Sequence, residues 1–103
     1  MGKTAQSIVR EIVDFILNSK DCEGKYFNNY FIGTTHDPEK MLFIYHGVDK
    51  KSGCWIYKKA TSAGQALEVM RLLTNASMQS ENQPLDDKNI FVYCYLITNN
   101  TKP

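Results

Sequence analysis

The chain has 103 residues, which is enough for one domain over residues 1–103 and too few for two. Hydrophobic residues make up 43% and charged residues 22%, which is ordinary for a globular protein and excludes a disordered or fibrous chain. The net charge of +1 gives no strong overall field toward nucleic acid or membranes. No apolar run approaches the roughly 18 residues of a membrane span, so no membrane association is expected.

The three cysteines do not form a recognisable motif. Cys22, Cys54 and Cys94 are separated by 32 and 40 residues, and no paired spacing suggests a zinc site. We expect buried, unreactive thiols and no disulfide framework. With a polar N-terminus that lacks a signal-peptide core, this indicates a cytoplasmic, reduced location.

The first half of the chain predicts a helix, a strand region and a second helix. Residues 4–19 form an amphipathic helix, because apolar side chains recur at i, i+3, i+4 and i+7. This broad apolar arc is either buried within the domain or a homodimer seam. Residues 25–34 alternate loosely and favour a strand region, in which Asn28-Asn29 is either a hairpin turn or an exposed stretch of one strand.

The second helix is predicted over residues 38–46. Asp37 is a suitable N-cap and Pro38 suits the first helical position, where no N–H is needed. Gly47 is a typical stop. The expected apolar stripe consists of Met41, Ile44, Tyr45 and Val48.

The second half predicts a strand over residues 54–59, a helix over 62–75, a loop over 76–88 and a strand over 89–98. Ser62 and Gln65 have the spacing of a capping box. The loop is long enough to be functional or mobile. The last strand is apolar on both faces, which places it in the middle of a sheet.

These elements predict a small α/β (α+β) domain with a short mixed or antiparallel three-stranded sheet flanked by helices. Within it, the stretch from Tyr30-Phe31-Ile32-Gly33 through Thr34, Thr35 and Pro38 to Leu42 resembles the second half of the GIY-YIG nuclease signature. In that family a strand ending in Tyr-Ile-Gly leads through a turn into a helix. The resemblance extends over roughly residues 25–75 and implies a GIY-YIG-like fold.

The chain departs from the family pattern at its catalytic positions. The resemblance places Phe31 at the family's tyrosine, Met41 at its arginine and Met70 at its metal-binding glutamate. Phe31 has no hydroxyl, Met41 has no charge to stabilise a phosphate, and a thioether is a poor Mg²⁺ ligand. We therefore expect no catalytic residues, no cofactor and a degenerate site packed with apolar side chains.

The resulting prediction is a non-catalytic binding or interaction module on a GIY-YIG-like scaffold. One alternative is a divergent metal-dependent nuclease for DNA or RNA, with Glu68 as fallback Mg²⁺ ligand alongside Tyr30, His36 and Lys40. Another is a structural, oligomeric protein unrelated to nucleases.

A binding surface is predicted near the family motif. Five lysines against one aspartate give residues 40–59 a local charge of +4, which is either a solvated surface or a weak nucleic-acid contact. The partner is accordingly a weakly bound nucleic acid or a protein. The two histidines are expected at the surface or as caps. The candidate binding residues are Tyr30, Thr34, Thr35, His36, Lys40, His46 and Lys58.

Overall fold

The computed structural model describes residues 2–20, 22, 26–51, 53–81 and 86–103. As the sequence predicts, helices flank a three-stranded antiparallel sheet in a mixed α/β arrangement. No helix of the described ranges is both long and apolar enough to cross a membrane. In chain order the elements are α1 (Ala5–Asn18), β1 (Tyr30–Thr35), α2 (Pro38–Lys40, continued by a π-helix over Met41–Tyr45), β2 (Trp55–Lys59), α3 (Ala63–Asn75) and β3 (Phe91–Leu96).

The strand order β1-β3-β2 confirms that β3 is the central strand. Its residues alternate between the two faces of the sheet, as period-two geometry requires. Val92 and Cys94 point to one face, whereas Tyr93 and Tyr95 point to the other. The sheet therefore separates two different cores.

The first core, here called the aliphatic layer, lies between the sheet and the helices α1 and α3. Ile8, Ile12 and Ile16 of α1 are fully buried in it, so the apolar arc of this helix packs inside the molecule. The α3 helix contributes the predicted stripe, which is buried at Ala66, Val69 and Leu73.

Both helices begin at side-chain caps, of which the one at Ser62 is predicted from the sequence. Thr4 accepts a hydrogen bond from the Ser7 amide, and Ser62 accepts one from the Gln65 amide at 3.2 Å. The Gln65 side chain does not complete the capping box, because its Oε1 accepts from the Ala5 amide at 2.8 Å. That bond joins the starts of α1 and α3.

The second core, here called the aromatic layer, lies between the other sheet face and residues 38–49. Its buried members are Phe31, Leu42, Val48, Tyr93 and Tyr95. The α2 N-terminus is capped as predicted, with Asp37 accepting from the Lys40 amide at 3.2 Å. Gly47 ends the helix with φ +69°.

The predicted apolar stripe of the second helix is wrong at two of its four positions. Ile44 and Tyr45 are exposed, whereas Leu42 and His46 are buried. The cause is the π-helix, in which the His46 amide bonds to the Met41 carbonyl five residues back. The wider turn rotates the following side chains away from the positions that a regular period of 3.6 predicts.

The predicted strand region over 25–34 is shorter and holds no hairpin at Asn28-Asn29. A 3-10 turn spans Phe27–Asn29, and β1 begins only at Tyr30. The Asn29 amide closes the turn on the Tyr26 carbonyl at 3.0 Å. Lys25 lies outside the described residues.

Part of the predicted loop over 76–88 is attached to the sheet. The Gln79 amide donates to the Tyr30 carbonyl, and the Ile32 amide donates to the Gln79 carbonyl, each at 2.9 Å. Met78 is buried in the aliphatic layer. The prediction for residues 82–85 lies outside the described part of the chain.

The cysteine prediction is wrong for two of the three residues. Cys22 and Cys54 form a disulfide, and Cys94 alone is a buried free thiol. The connection after α1 brings Cys22 beside the start of β2, which a sequence separation of 32 residues does not reveal.

Candidate functional site

The most polar part of the interior is built around His46 in the aromatic layer. The π-helix and the left-handed turn at Gly47 together direct its side chain toward the sheet. The ring is only 6% exposed and packs on Phe31, with ring centroids 4.9 Å apart. Single wide turns of this kind occur often at functional sites, so this segment is a candidate functional site.

Both ring nitrogens of His46 are engaged. Nδ1 lies 2.7 Å from the Lys102 carbonyl oxygen and 2.9 Å from the Tyr95 hydroxyl. Nε2 lies 3.0 Å from the Tyr93 hydroxyl. A carbonyl only accepts, so Nδ1 carries the hydrogen, and in the neutral ring Nε2 accepts from Tyr93. The ring is therefore held in one orientation, and neither of its nitrogens is left for a hydrogen bond to a ligand.

The two tyrosine hydroxyls remain protonated at neutral pH. Burial raises the pKa of Tyr93 well above its usual value, and the nearby Glu81 charge adds to the effect. Burial likewise raises the pKa of Tyr95, with smaller contributions from Tyr93 and Glu81. Neutral hydroxyls suit this interior because an unpaired charge there would be costly.

Gly33 is required by the ring of Tyr93. A Cβ at position 33 would lie 2.5 Å from the Tyr93 hydroxyl oxygen and 2.6 Å from its Cζ, which is too close for real atoms. The glycine of the family-like motif thus has a packing role, and it lets the ring lie flat against β1.

A cleft opens beside this cluster and has a volume of about 420 Å³. It is named here the His46 cleft, and its floor is the edge of the buried histidine. Its walls include an exposed aromatic ring, a thioether and one carboxylate. The lining residues are Met41, Tyr45, His46, Glu81, Lys102 and Pro103.

A second feature of the aromatic layer is a row of three half-buried rings, Phe43, Trp55 and Tyr57, with the exposed Lys50 beside them. These four residues are here called the aromatic–lysine strip. Trp55 and Tyr57 are stacked with centroids 6.1 Å apart, and Phe43 meets Trp55 edge-on at 4.9 Å. The Lys50 ammonium lies 5.5 Å from the Phe43 ring centre. Lys50 also contacts Glu39 at 3.5 Å, so its charge is partly balanced.

The three positions taken from the family do not surround one spot. Phe31 and Met41 both lie in the aromatic layer, as a degenerate pocket requires. Met70 packs against the aliphatic layer on the other side of the sheet. The register that placed Met70 at the metal position therefore has no geometric support.

The fallback nuclease residues are dispersed in the same way. Tyr30 is fully buried in the aliphatic layer, where burial raises its pKa to about 12 and its hydroxyl donates to Cys54 Sγ at 3.8 Å. Glu68 lies on the outer side of α3 and pairs with Arg71 at 2.6 Å. His36 and Lys40 are exposed near the start of α2, so no common site forms.

The remaining candidate binding residues are mostly structural. Thr34 and Thr35 are buried, and Thr35 accepts a hydrogen bond from the Asp37 amide at 3.1 Å. Lys58 pairs with Glu11 of α1 at 3.0 Å, outside the aromatic layer. His46 is the C-cap of the π-helix, as one of the two expectations has it, but it is not at the surface, because the π-helix turns its side chain inward.

Sequence reasoning missed Tyr93, Tyr95 and Glu81 as companions of His46. The alternation of β3 already placed both tyrosines on one face, which was the available signal. Nothing in the sequence linked that face to Glu81, because the link passes through the tertiary fold.

Within the part of the chain that the structure describes, no group of three His, Cys, Asp or Glu side chains is placed to hold a metal ion. Comparison with protein-family models, with curated proteins and with solved structures finds no match for this chain.

Proposed function

We propose that this protein is a non-catalytic binding module whose ligand is single-stranded nucleic acid, held on the aromatic–lysine strip. The GIY-YIG-like scaffold belongs to the same proposal and rests on the strand, turn and helix that follow Tyr30. The supporting observation is the stacked pair Trp55 and Tyr57 on an edge strand, next to Phe43 under a lysine.

The chemistry of the strip suits an unpaired strand. Each base offers a flat face that stacks on an aromatic ring, and the phosphates are attracted to ammonium groups. Lys51 and Lys59 are exposed near the two ends of β2 and extend the positive charge beyond Lys50. Because only a few lysines contribute, we expect weak binding, with a dissociation constant of about 10⁻⁵ M at moderate salt.

The non-catalytic part of the proposal is supported by the dispersal of the candidate groups. Phosphodiester hydrolysis needs a metal ligand, a base and a cation at one place. Glu68 and Lys40 lie on opposite sides of the sheet, and Met41 has no charge.

The chain carries its own reporter for the binding test, since Trp55 is the single tryptophan. We expect a single-stranded oligothymidylate to quench its fluorescence, and the affinity to fall as salt rises. Tyr57→Leu weakens binding at least fivefold, and Lys50→Gln lowers the salt slope by about 0.7. The matched control is Tyr26→Leu, which removes a 76% exposed ring outside the strip.

Two results contradict the proposal. One is fluorescence that stays constant across oligonucleotides up to millimolar concentration. The other is cleavage of DNA or RNA by the pure protein with Mg²⁺ or Mn²⁺, abolished by substituting one of its own residues.

The cytoplasmic location was expected partly because the cysteines showed no sign of pairing. The Cys22–Cys54 disulfide removes that reason, because disulfides are favoured in an oxidising environment.

A further inference from the structure

The His46 cleft has the size and walls of a small-ligand site that the aromatic–lysine strip does not use. Its volume of about 420 Å³ lies within the usual range for small-molecule pockets, which begins near 300 Å³. Most of its floor is fixed, because both nitrogens of His46 are already hydrogen-bonded. Selectivity for a ligand must therefore come from the other side chains that line the cleft.

One wall can stack against a flat ligand. Tyr45 is 57% exposed, and the Lys40 ammonium lies 5.7 Å from its ring centre. Met41 adds a polarizable thioether, which contacts aromatic rings favourably. A planar ring is thus the natural shape of a ligand at this place.

The lining offers one charged acceptor. The exposed Glu81 carboxylate only accepts hydrogen bonds, so it selects a ligand that donates. The Glu81 charge also lies close enough to raise the pKa values of both buried tyrosines, which places it beside the cluster.

Among the four common bases, guanine fits this carboxylate best. Its N1–H and 2-amino group are adjacent donors that one carboxylate can accept together, and charge-assisted pairs of this kind are the strong ones. Cytosine and adenine each offer a single amino group to a carboxylate, and thymine offers one imide N–H.

We propose that the His46 cleft binds a guanine base, with the ring stacked on Tyr45 and the Watson–Crick donors on Glu81. This rests on the proposed function and names the base that a bound strand inserts. The strip then supplies affinity for any strand, and the cleft supplies the preference.

The test compares hexathymidylate with strands of the same length that hold one guanine, one inosine or one adenine. We expect the guanine strand to bind about tenfold more tightly than the adenine strand. Inosine lacks the 2-amino group and falls in between. Glu81→Gln removes the guanine preference and leaves hexathymidylate binding unchanged. Glu68→Gln, an exposed glutamate on α3, is the matched control and keeps the preference.

The outcomes separate the two proposals. Equal binding of all strands with normal Trp55 quenching overturns the guanine site and leaves the binding module intact. If no strand quenches Trp55, the binding module fails, and a titration with guanosine monophosphate followed by NMR decides the cleft alone. Shifts confined to Tyr45, His46 and Glu81, absent with adenosine monophosphate, support the site. Their absence overturns it.

Discussion

The two layers on either side of the sheet differ in what they bury. The aliphatic layer holds branched side chains of α1 and α3 and is closed by a disulfide. The aromatic layer buries a histidine with two tyrosine hydroxyls and borders an open cleft. The comparison sets a closed, cross-linked apolar core on one face of the sheet against a polar, partly open core on the other.

The difference arises within single strands. In β3 the sequence alternates Val92, Tyr93, Cys94 and Tyr95, so each layer receives its own residue type from one element. Helix length adds to the difference between the two layers, because α1 and α3 have 14 and 13 residues whereas α2 and its π-helical continuation span only 38–45. A short, wide helix covers less of the sheet and leaves room for the cleft.

The largest expected effect comes from the aliphatic layer. Ile12→Ala empties a fully buried position of α1 and lowers the free energy of unfolding by about 3 to 4 kcal/mol. Urea unfolding followed by circular dichroism measures the change. Leu17→Ala, on the same helix but 53% exposed, is the control and changes the value by less than about 0.5 kcal/mol. Equal losses in the two variants would contradict the burial of Ile12 in the aliphatic layer.

A smaller effect is expected in the aromatic layer. Gly33→Ala forces a methyl group against the Tyr93 ring and lowers the free energy of unfolding by about 1 to 3 kcal/mol. Gly64→Ala is the matched control, since its added Cβ meets only the Ser62 hydroxyl at 3.7 Å, and it leaves stability unchanged or raised by up to about 1 kcal/mol. If Gly33→Ala is neutral, Tyr93 does not pack against β1 as described.

The smallest effect concerns the surface of the aliphatic layer. Hydrogen bonds from Lys3 and then Lys58 hold the pKa of Glu11 at about 2, below the ordinary value of 4.5 for a glutamate. The ion pairs therefore stabilise the fold above pH 4.5, and this contribution is lost as the pH falls toward 2. Glu11→Gln lowers stability at pH 7 by about 0.5 to 1 kcal/mol and flattens that acid decline. Acid titrations of both proteins measure it, and an unchanged slope would show that Glu11 is not the titrating group.

Much of the fold could be predicted from local patterns. The caps Ser62 and Asp37 and the two-sided apolar β3 predicted elements close to those observed, because hydrogen bonding and periodicity act over a few residues. The candidate site could not be predicted in the same way. His46 is turned inward by a π-helix, and its partners Tyr93 and Lys102 are 47 and 56 residues away in sequence.

The disulfide could not be predicted for the same reason, because its two cysteines are 32 residues apart in sequence and meet only in the tertiary fold. Its burial also has a consequence that can be measured. Cys22 is 0% and Cys54 5% exposed, so a small thiol reagent meets the bond only when the surrounding packing opens. The rate at which the disulfide is reduced in native buffer therefore reports how often the surrounding packing opens. Mass spectrometry can follow this reduction without an added label, and so measures local opening of the aliphatic layer, on the side of the sheet away from the cleft.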